Sequence, residues 1–356
     1  MKKDPEISTG AIESPKDYRD EFVANAVAVT PAPESIASFY YNMNQFPHLM
    51  QAKEPACVNH WLADAMKLHW FKKTGKVINF SPRFGDVLCK KYDGQPIDGG
   101  TYPRLALKLA AQFGMATEAT VSNDTSLPLG QYRDQSILTP EAYAEAAQYK
   151  IPGYIQVPLN EKSMKDYIYS FGFVGTNRNI GSEWWTPSWN DKDIDPLKTP
   201  KNVVSGHMTG DFGWSGNLMR LRNEWSNAWA NGGNADYDIV QWLPYIKEAW
   251  VIAEVPSDLK TFLSDLPSPS NFHYQWSTDM KQGTGPTDDI KMLQIAMMIL
   301  GYMTPPPVDQ LGYYGPRTAQ AVLAYQEALE IPGALELKGS ISGPKTRDSL
   351  NKRFSL

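Results

Sequence analysis

Cys57 lies six residues after Gln51, and far downstream His207 is followed sixteen residues later by Asn223, with Trp225 and Trp229 just beyond. Each is weak evidence alone: a cysteine in a helix is more often an inert core residue, and a lone histidine is usually surface-exposed or already hydrogen-bonded. Together they supply the parts of thiol-based peptide hydrolysis. A cysteine that opens a helix faces unpaired N–H groups and the positive end of the dipole, which favours thiolate and lowers its pKa. The thiolate attacks a carbonyl carbon, and His207 shares its proton and returns it to the leaving amine. Asn223 holds the imidazole plane, and Trp225 shields that contact from water. The developing oxyanion needs donors, which the Cys57 backbone N–H and the Gln51 amide provide. His60 follows Cys57 by three residues and is a minor rival for the base. His48, His69 and His273 read as surface or satisfied residues, and no His, Cys and carboxylate spacing indicates a metal, so neither metal nor cofactor is expected.

These residues need rigid elements. Val58, Trp61, Leu62, Ala65 and Met66 recur at helical spacing, with Pro55 before them and Gly75 after, and predict a helix that starts on Cys57. A second helix follows Pro103, with Leu105, Leu109 and Phe113 in phase. Residues 163–171 read as helix, and 173–176, 218–221 and 237–240 as strands. Helices first and strands later predict an α+β domain with helical and sheet halves packed together.

The chain has 356 residues, 42% of them hydrophobic, which is enough for two domains with real cores. The Pro-, Gly- and Ser-rich stretch from Ser264 to Gly285 reads as a linker. The expected division is an N-terminal arm (1–16), a first domain (17–262), a linker (263–285) and a second domain (286–356). In the second domain, Ile290, Leu293, Met297 and Leu300 form one apolar stripe and Thr318, Ala321, Val322 and Tyr325 another. Gly315-Pro316-Arg317-Thr318 recurs as Gly343-Pro344-Lys345-Thr346, 28 residues on. Proline suits the first helical position, where no N–H is needed, so the repeat marks two helix starts in a small three-helix bundle. A net charge of −5 with no basic run argues against nucleic acid as a partner. The N-terminus shows no signal-peptide core, and no run of about 18 apolar residues exists to span a membrane. Two cysteines make no disulfide scaffold, and a nucleophilic Cys57 must stay free.

Residues 17–255 resemble the papain-like cysteine peptidases. The resemblance is carried by Asp17-Tyr18-Arg19, by Gln51 and Cys57 in a Gln-x5-Cys pattern, and by residues 80–89, which resemble the family's Leu-Ser-x-Gln-x-Leu-Val-Asp-Cys. It continues in Gly99-Gly100-Thr101-Tyr102-Pro103, in Gly206-His207, and in Arg222-Asn223-Glu224-Trp225-Ser226-Asn227-Ala228-Trp229, which resembles Lys-Asn-Ser-Trp-Gly-x-x-Trp. The resemblance implies a two-lobed fold, with Cys57 on a helical lobe and His207 and Asn223 on a sheet lobe. It implies that Gly99 and Gly100 line the cleft and bind the substrate backbone, that Tyr102 and Pro103 border the pocket for the second residue before the scissile bond, and that Gly206 and Trp225 flank the site. Four departures stand out: Val58 replaces the family's tryptophan, Glu54 the usual partner of Cys89, Gly206 the usual aspartate, and 181–202 is an enlarged loop with Trp184, Trp185 and Trp189. Cys89 is therefore expected as a free thiol, and no long inhibitory pro-segment is expected before Asp17.

Residues 288–356 resemble the three-helix peptidoglycan-binding domain of wall hydrolases, through Leu293-Gln294, Gly301-Tyr302, the segment from Gly312 to Gln326, and Gly343-Pro344-Lys345-Thr346. The two resemblances imply a cysteine endopeptidase carried to bacterial cell wall, acting on proteins or on wall peptides and of phage or bacterial origin. A non-catalytic wall-binding or virion structural protein on a peptidase fold, and an endolysin-like peptidoglycan hydrolase, are the alternatives.

Overall fold

The computed structural model describes residues 9–184 and 196–355, which form two compact units. The larger holds the described residues up to Ser14 together with Val27–Val255, and the smaller holds Pro15–Ala26 with the chain from Pro256.

In the larger unit, helix Cys57–Thr74 is the central element. Ala56 is its N-cap, and Gly75 ends it in the left-handed conformation, its N–H on the Phe71 carbonyl. Val58, Trp61, Leu62 and Met66 are all buried. So are Asn59, His60, Asp64 and Lys67 on the other faces, so from Cys57 to Leu68 the helix is enclosed on all sides rather than amphipathic. Helices Pro82–Tyr92 and Pro103–Gln112 pack on it, each with proline in the first turn.

The sheet contains β1 (Ser38–Tyr40), β2 (Tyr154–Gln156), β3 (Val174–Ile180), β4 (Ser205–Ser215), β5 (Leu218–Arg222), β6 (Asn234–Asp238) and β7 (Ile246–Ile252). Their order is β2-β7-β3-β4-β5-β6, with β1 added against β4, and the pairings are antiparallel. Side chains alternate along β4. Met208 and Phe212 join the core around Trp61, which leaves His207, Thr209 and Asp211 on the other face. Arg178, cross-strand from His207, pairs there with Asp211 at 2.9 Å.

Several expectations need correction. The strand expected at 237–240 stops at Asp238, whose carboxylate caps the helical turn Ile239–Trp242. The stretch expected as a linker is folded: Leu266, Phe272, Trp276 and Met280 are buried in the smaller unit's core. Met280–Lys281 pairs with Ile341–Ser342. Residues 17–26 also belong to the smaller unit rather than opening the larger. Tyr18 and Phe22 lie in its core, and the Tyr18 hydroxyl donates to the Pro267 carbonyl at 2.7 Å.

The smaller unit is built on helices Asp288–Ile299, Pro316–Ala328 and Pro344–Phe354. The repeated Gly-Pro-x-Thr has a physical role there. Gln294 Nε2 donates to Thr318 Oγ1 at 3.0 Å, and Gln326 Nε2 donates to Thr346 Oγ1 at 2.9 Å. In each case a buried amide on one helix fixes the first turn of the next. Among the described residues no helix is long and apolar enough to cross a membrane.

Candidate active site

Cys57 is the first residue of its helix and is fully buried. The backbone N–H groups of Met208, Gly10 and Val58 act on its thiol and favour the thiolate. Met208 follows His207 on β4. The His207 ring is also fully buried, and its Nε2 lies 2.9 Å from Asn223 Oδ1, so Nε2 carries the hydrogen and donates. Among the described residues His207 Nδ1 has no hydrogen-bond partner. The site thus holds a neutral imidazole with an orienting amide on one nitrogen and a free lone pair on the other.

An aromatic wall surrounds this pair. The Trp225 ring lies over His207 with centroids 4.5 Å apart, and Trp184 meets it edge-on at 6.1 Å. Trp229 Nε1 donates to the Trp184 carbonyl at 3.0 Å, and Trp184 packs on Trp242. Trp184 is thus a wall of the site. Trp185 and Trp189 of the enlarged loop lie outside the described residues.

Gln51 is fully buried. Its side-chain amide donates to the Glu54 carbonyl at 2.5 Å, and its backbone N–H to the Glu224 carbonyl at 2.7 Å. The residue therefore lies in the turn that leads into the Cys57 helix and is tied to the neighbour of Asn223.

The thiol departs from the expectation. Burial pushes it up to about 11 although three N–H groups oppose the shift, because desolvation of an anion outweighs the N-terminal dipole in a closed site. Burial likewise lowers His207 to about 4, against the Asn223 bond that raises it.

What closes the site is the N-terminal segment 9–14. The Gly10 carbonyl accepts from Thr101 N–H at 2.8 Å, Ile12 N–H donates to the Thr101 carbonyl at 3.0 Å, and Ala11 N–H donates to the Gly206 carbonyl at 3.3 Å. Ala11 and Thr101 form a parallel bridge. Further along, Ser14 N–H donates to Glu248 Oε1 at 2.9 Å, and Ser14 Oγ accepts from Arg104 N–H at 3.1 Å. The Thr9 and Ser205 hydroxyls are also in contact. The segment is seated on glycines. A Cβ on Gly100 would lie 1.9 Å from the Gly10 carbonyl oxygen, and one on Gly206 would lie 2.2 Å from that of Ala11. The aspartate-to-glycine departure at 206 thus makes room for this segment.

The other candidates fall as follows. Gly100 borders the segment, but Gly99 turns away, its carbonyl accepting from Arg133 Nη1 at 2.7 Å. Thr101, which the sequence reasoning missed, supplies the backbone groups instead. Tyr102 caps helix Pro103–Gln112, and its hydroxyl accepts from Gln95 Nε2 at 2.6 Å. Asn177 and Glu248 were also missed. Asn177 Nδ2 donates to Glu248 Oε1 at 3.0 Å beneath the segment. Neither lies in a motif; only strand register brings them there. His60 is committed elsewhere, with Nδ1 2.9 Å from the Ala56 carbonyl and Nε2 3.3 Å from Asn123 Nδ2. Cys89 is free and buried beside Asn59, where burial lifts it to about 12. Among the described residues no group of three or more His, Cys, Asp or Glu could hold a metal ion.

The structure is similar to xylellain, a cysteine protease from Xylella fastidiosa, with a TM-score of 0.57 and 19% identity over 72% of this chain and 99% of that one. The larger unit has the papain-like fold. Other similar structures are the Carica candamarcensis cysteine protease CMS1MS2 in complex with E-64 (TM-score 0.48, 15% identity, 62% and 100% of the two chains) and procathepsin L 3 from the larval midgut of Tenebrio molitor (TM-score 0.48, 16%, 66% and 79%). Residues 286–333 match the family described as "Putative peptidoglycan binding domain". No curated protein matches the chain by sequence.

Proposed function

We propose that the papain-like unit is a cysteine endopeptidase, with Cys57 as nucleophile, His207 as base, Asn223 as orienter and Gln51 as oxyanion donor, and that the smaller unit carries it to bacterial peptidoglycan. The observation that carries the reading is the 2.9 Å pair of His207 Nε2 and Asn223 Oδ1, with an Nδ1 that has no partner among the described residues and a following N–H, that of Met208, that favours the Cys57 thiolate. In the reaction the Cys57 proton passes to His207 Nδ1 and the sulfur bonds to the substrate carbonyl carbon. The C–O π pair moves onto oxygen, where the Cys57 N–H and the Gln51 amide receive it. Collapse of that intermediate breaks the C–N bond, and the imidazolium gives its proton to the leaving amine. Water, deprotonated by the same imidazole, then releases the acid from the thioester.

In the conformation described, residues 9–14 hold the cleft, so hydrolysis requires them to leave. The Gly10 N–H of the segment favours the Cys57 thiolate, and an N–H is a group that the thiol cannot attack. We read this as a latent form. The substrate is a protein or a peptide of the wall, and the match of 286–333 favours the wall. The test is turnover of peptide substrates and of purified peptidoglycan, with Cys57→Ala as control; activity that survives the substitution rules out this mechanism. The rival reading, a wall-binding protein on an inactive peptidase fold, requires that Cys57 resist an epoxide such as E-64 even when the segment is displaced.

A further inference from the structure

Glu224 stands between Asn223 and Trp225, where the resemblance has a small serine. It is 2% exposed, an unusual place for a carboxyl unless its bonds matter. Two of those bonds reach one short segment. The Glu224 carbonyl accepts from Gln51 N–H at 2.7 Å, and its Oε2 accepts from Leu49 N–H at 3.1 Å. Met50, between them, forms an antiparallel bridge with Trp225. Residues 49–51 are thus zipped to 224–225.

The side chain also joins a buried charge cluster. Glu224 Oε1 lies 3.4 Å from Arg222 Nε, which contacts Asp64 Oδ2 at 2.7 Å, and Asp64 Oδ1 contacts Lys67 Nζ at 2.9 Å. Asp64 and Lys67 belong to the Cys57 helix. The remaining Arg222 N–H groups hold the carbonyls of Met43, Phe46 and Pro47, on the approach to Leu49. The cluster therefore ties together the helix that carries Cys57, the strand end that carries Asn223 and the segment that carries Gln51.

We propose that Glu224 is a positioning residue for the oxyanion site, fixing Gln51 in register with the N-terminus of the Cys57 helix. This rests on the reading of Gln51 as the oxyanion donor. A donor is effective only when it lies within hydrogen-bond range of the oxygen as charge develops. The Gln51 amide belongs to a loop, so its placement depends on how the loop backbone is held. Glu224 supplies both a backbone and a side-chain bond for that purpose, and a serine is too short for the second.

The test is a double-mutant cycle in the full chain carrying Gly10→Val, which is expected to displace the covering segment because a Cβ there would lie 2.2 Å from the Pro55 carbonyl oxygen. Glu224→Ala is expected to lower kcat by about tenfold, with KM within about twofold, as fits a group displaced by less than about 1 Å. Glu224→Gln, which keeps an oxygen for Leu49 N–H, is expected to recover most of the loss. The deciding readout is Glu224→Ala in a Gln51→Ala background, where it is expected to cost little more, because it acts through the amide already removed. Fully multiplicative losses, or a loss confined to KM, overturn the positioning role. If Gln51→Ala leaves kcat unchanged, the oxyanion reading of Gln51 falls, and the proposal with it. If Gln51→Ala lowers kcat while Glu224→Ala does not, the proposal alone falls.

Discussion

The backbone N–H of Ala11 donates to the carbonyl of Gly206 at 3.3 Å, and a side chain on Gly206 would lie 2.2 Å from the Ala11 carbonyl oxygen. The residue before the candidate base is thus shaped to the chain's own N-terminal segment.

Displacing that segment should expose Cys57. A Cβ on Gly10 would lie 2.2 Å from the Pro55 carbonyl oxygen, a backbone atom that cannot swing aside. Gly10→Val is therefore expected to raise the rate of Cys57 labelling by E-64 by at least about tenfold, which corresponds to loss of roughly 1.4 kcal/mol of closure. Glu13→Ala, at an exposed position of the same segment, is expected to change nothing. Peptide mass mapping reads the labelled residue. Equal rates in wild type and Gly10→Val would show that the segment does not gate the thiol.

The pH dependence should move with the cover. In the closed form the thiol is held up at about 11 and His207 down at about 4, in both cases chiefly by burial. Both groups are then neutral at pH 7, and alkylation of wild-type Cys57 should climb through pH 9 without a plateau. In Gly10→Val, water reaches the site, the burial cost falls, and the profile should shift to lower pH. The sign for stability follows from the depressed imidazole: the folded form binds fewer protons than the unfolded form between about pH 4 and 6.5. The stabilisation from neutral His207 is therefore complete above about 6.5 and is lost as the pH falls toward 4. NMR titration of the His207 ring checks this; an ordinary midpoint near 6.5 in the closed form contradicts it.

Asn223→Ala should leave the fold intact and impair the chemistry. It removes the acceptor that holds His207 Nε2, so the ring loses its fixed plane and tautomer. In the Gly10→Val background turnover is expected to fall by about two orders of magnitude, within the usual contribution of a positioned acid–base group. A drop of less than twofold, with the melting temperature unchanged, would deny Asn223 this role.

In the smaller unit, Gln326→Leu should destabilise. Gln326 Nε2 bonds both the Ile341 carbonyl and Thr346 Oγ1, at 2.9 Å each, and the substitution leaves one buried and one part-buried acceptor without this donor. The expected loss is about 2 kcal/mol, measured by denaturant unfolding. No change in the midpoint would show that the repeated motif has no such structural role.

Much of the candidate site was legible because its residues lie in short motifs at helix starts and strand ends. Cys57 after Pro55 and Ala56, and Asn223 just past β5, are local signals. β4, which carries His207, was not legible: Gly206, Gly210 and Gly213 interrupt its pattern, and each glycine is explained by a neighbour brought in from far along the chain (Ala11, Phe173 and Tyr40). The closing segment was missed for the same reason. Nothing in Gly10-Ala11-Ile12 indicates a seat, which is made by Gly100, Thr101 and Gly206 together. The expected depression of the thiol pKa failed through that same contact, since a helix N-terminus stabilises an anion only where the anion is not stripped of water. The linker expectation failed because Pro and Ser punctuation masked Phe272 and Trp276, whose burial holds 256–285 in the smaller unit.

The most direct measurement is peptide-bond hydrolysis by the full chain carrying Gly10→Val, alone and combined with Cys57→Ala or His207→Ala, on peptide substrates and purified peptidoglycan. The expected result is turnover by Gly10→Val that falls to background in both combinations. Turnover that persists without Cys57, or a folded Gly10→Val protein that neither reacts with E-64 nor cleaves any peptide, would contradict the assignment.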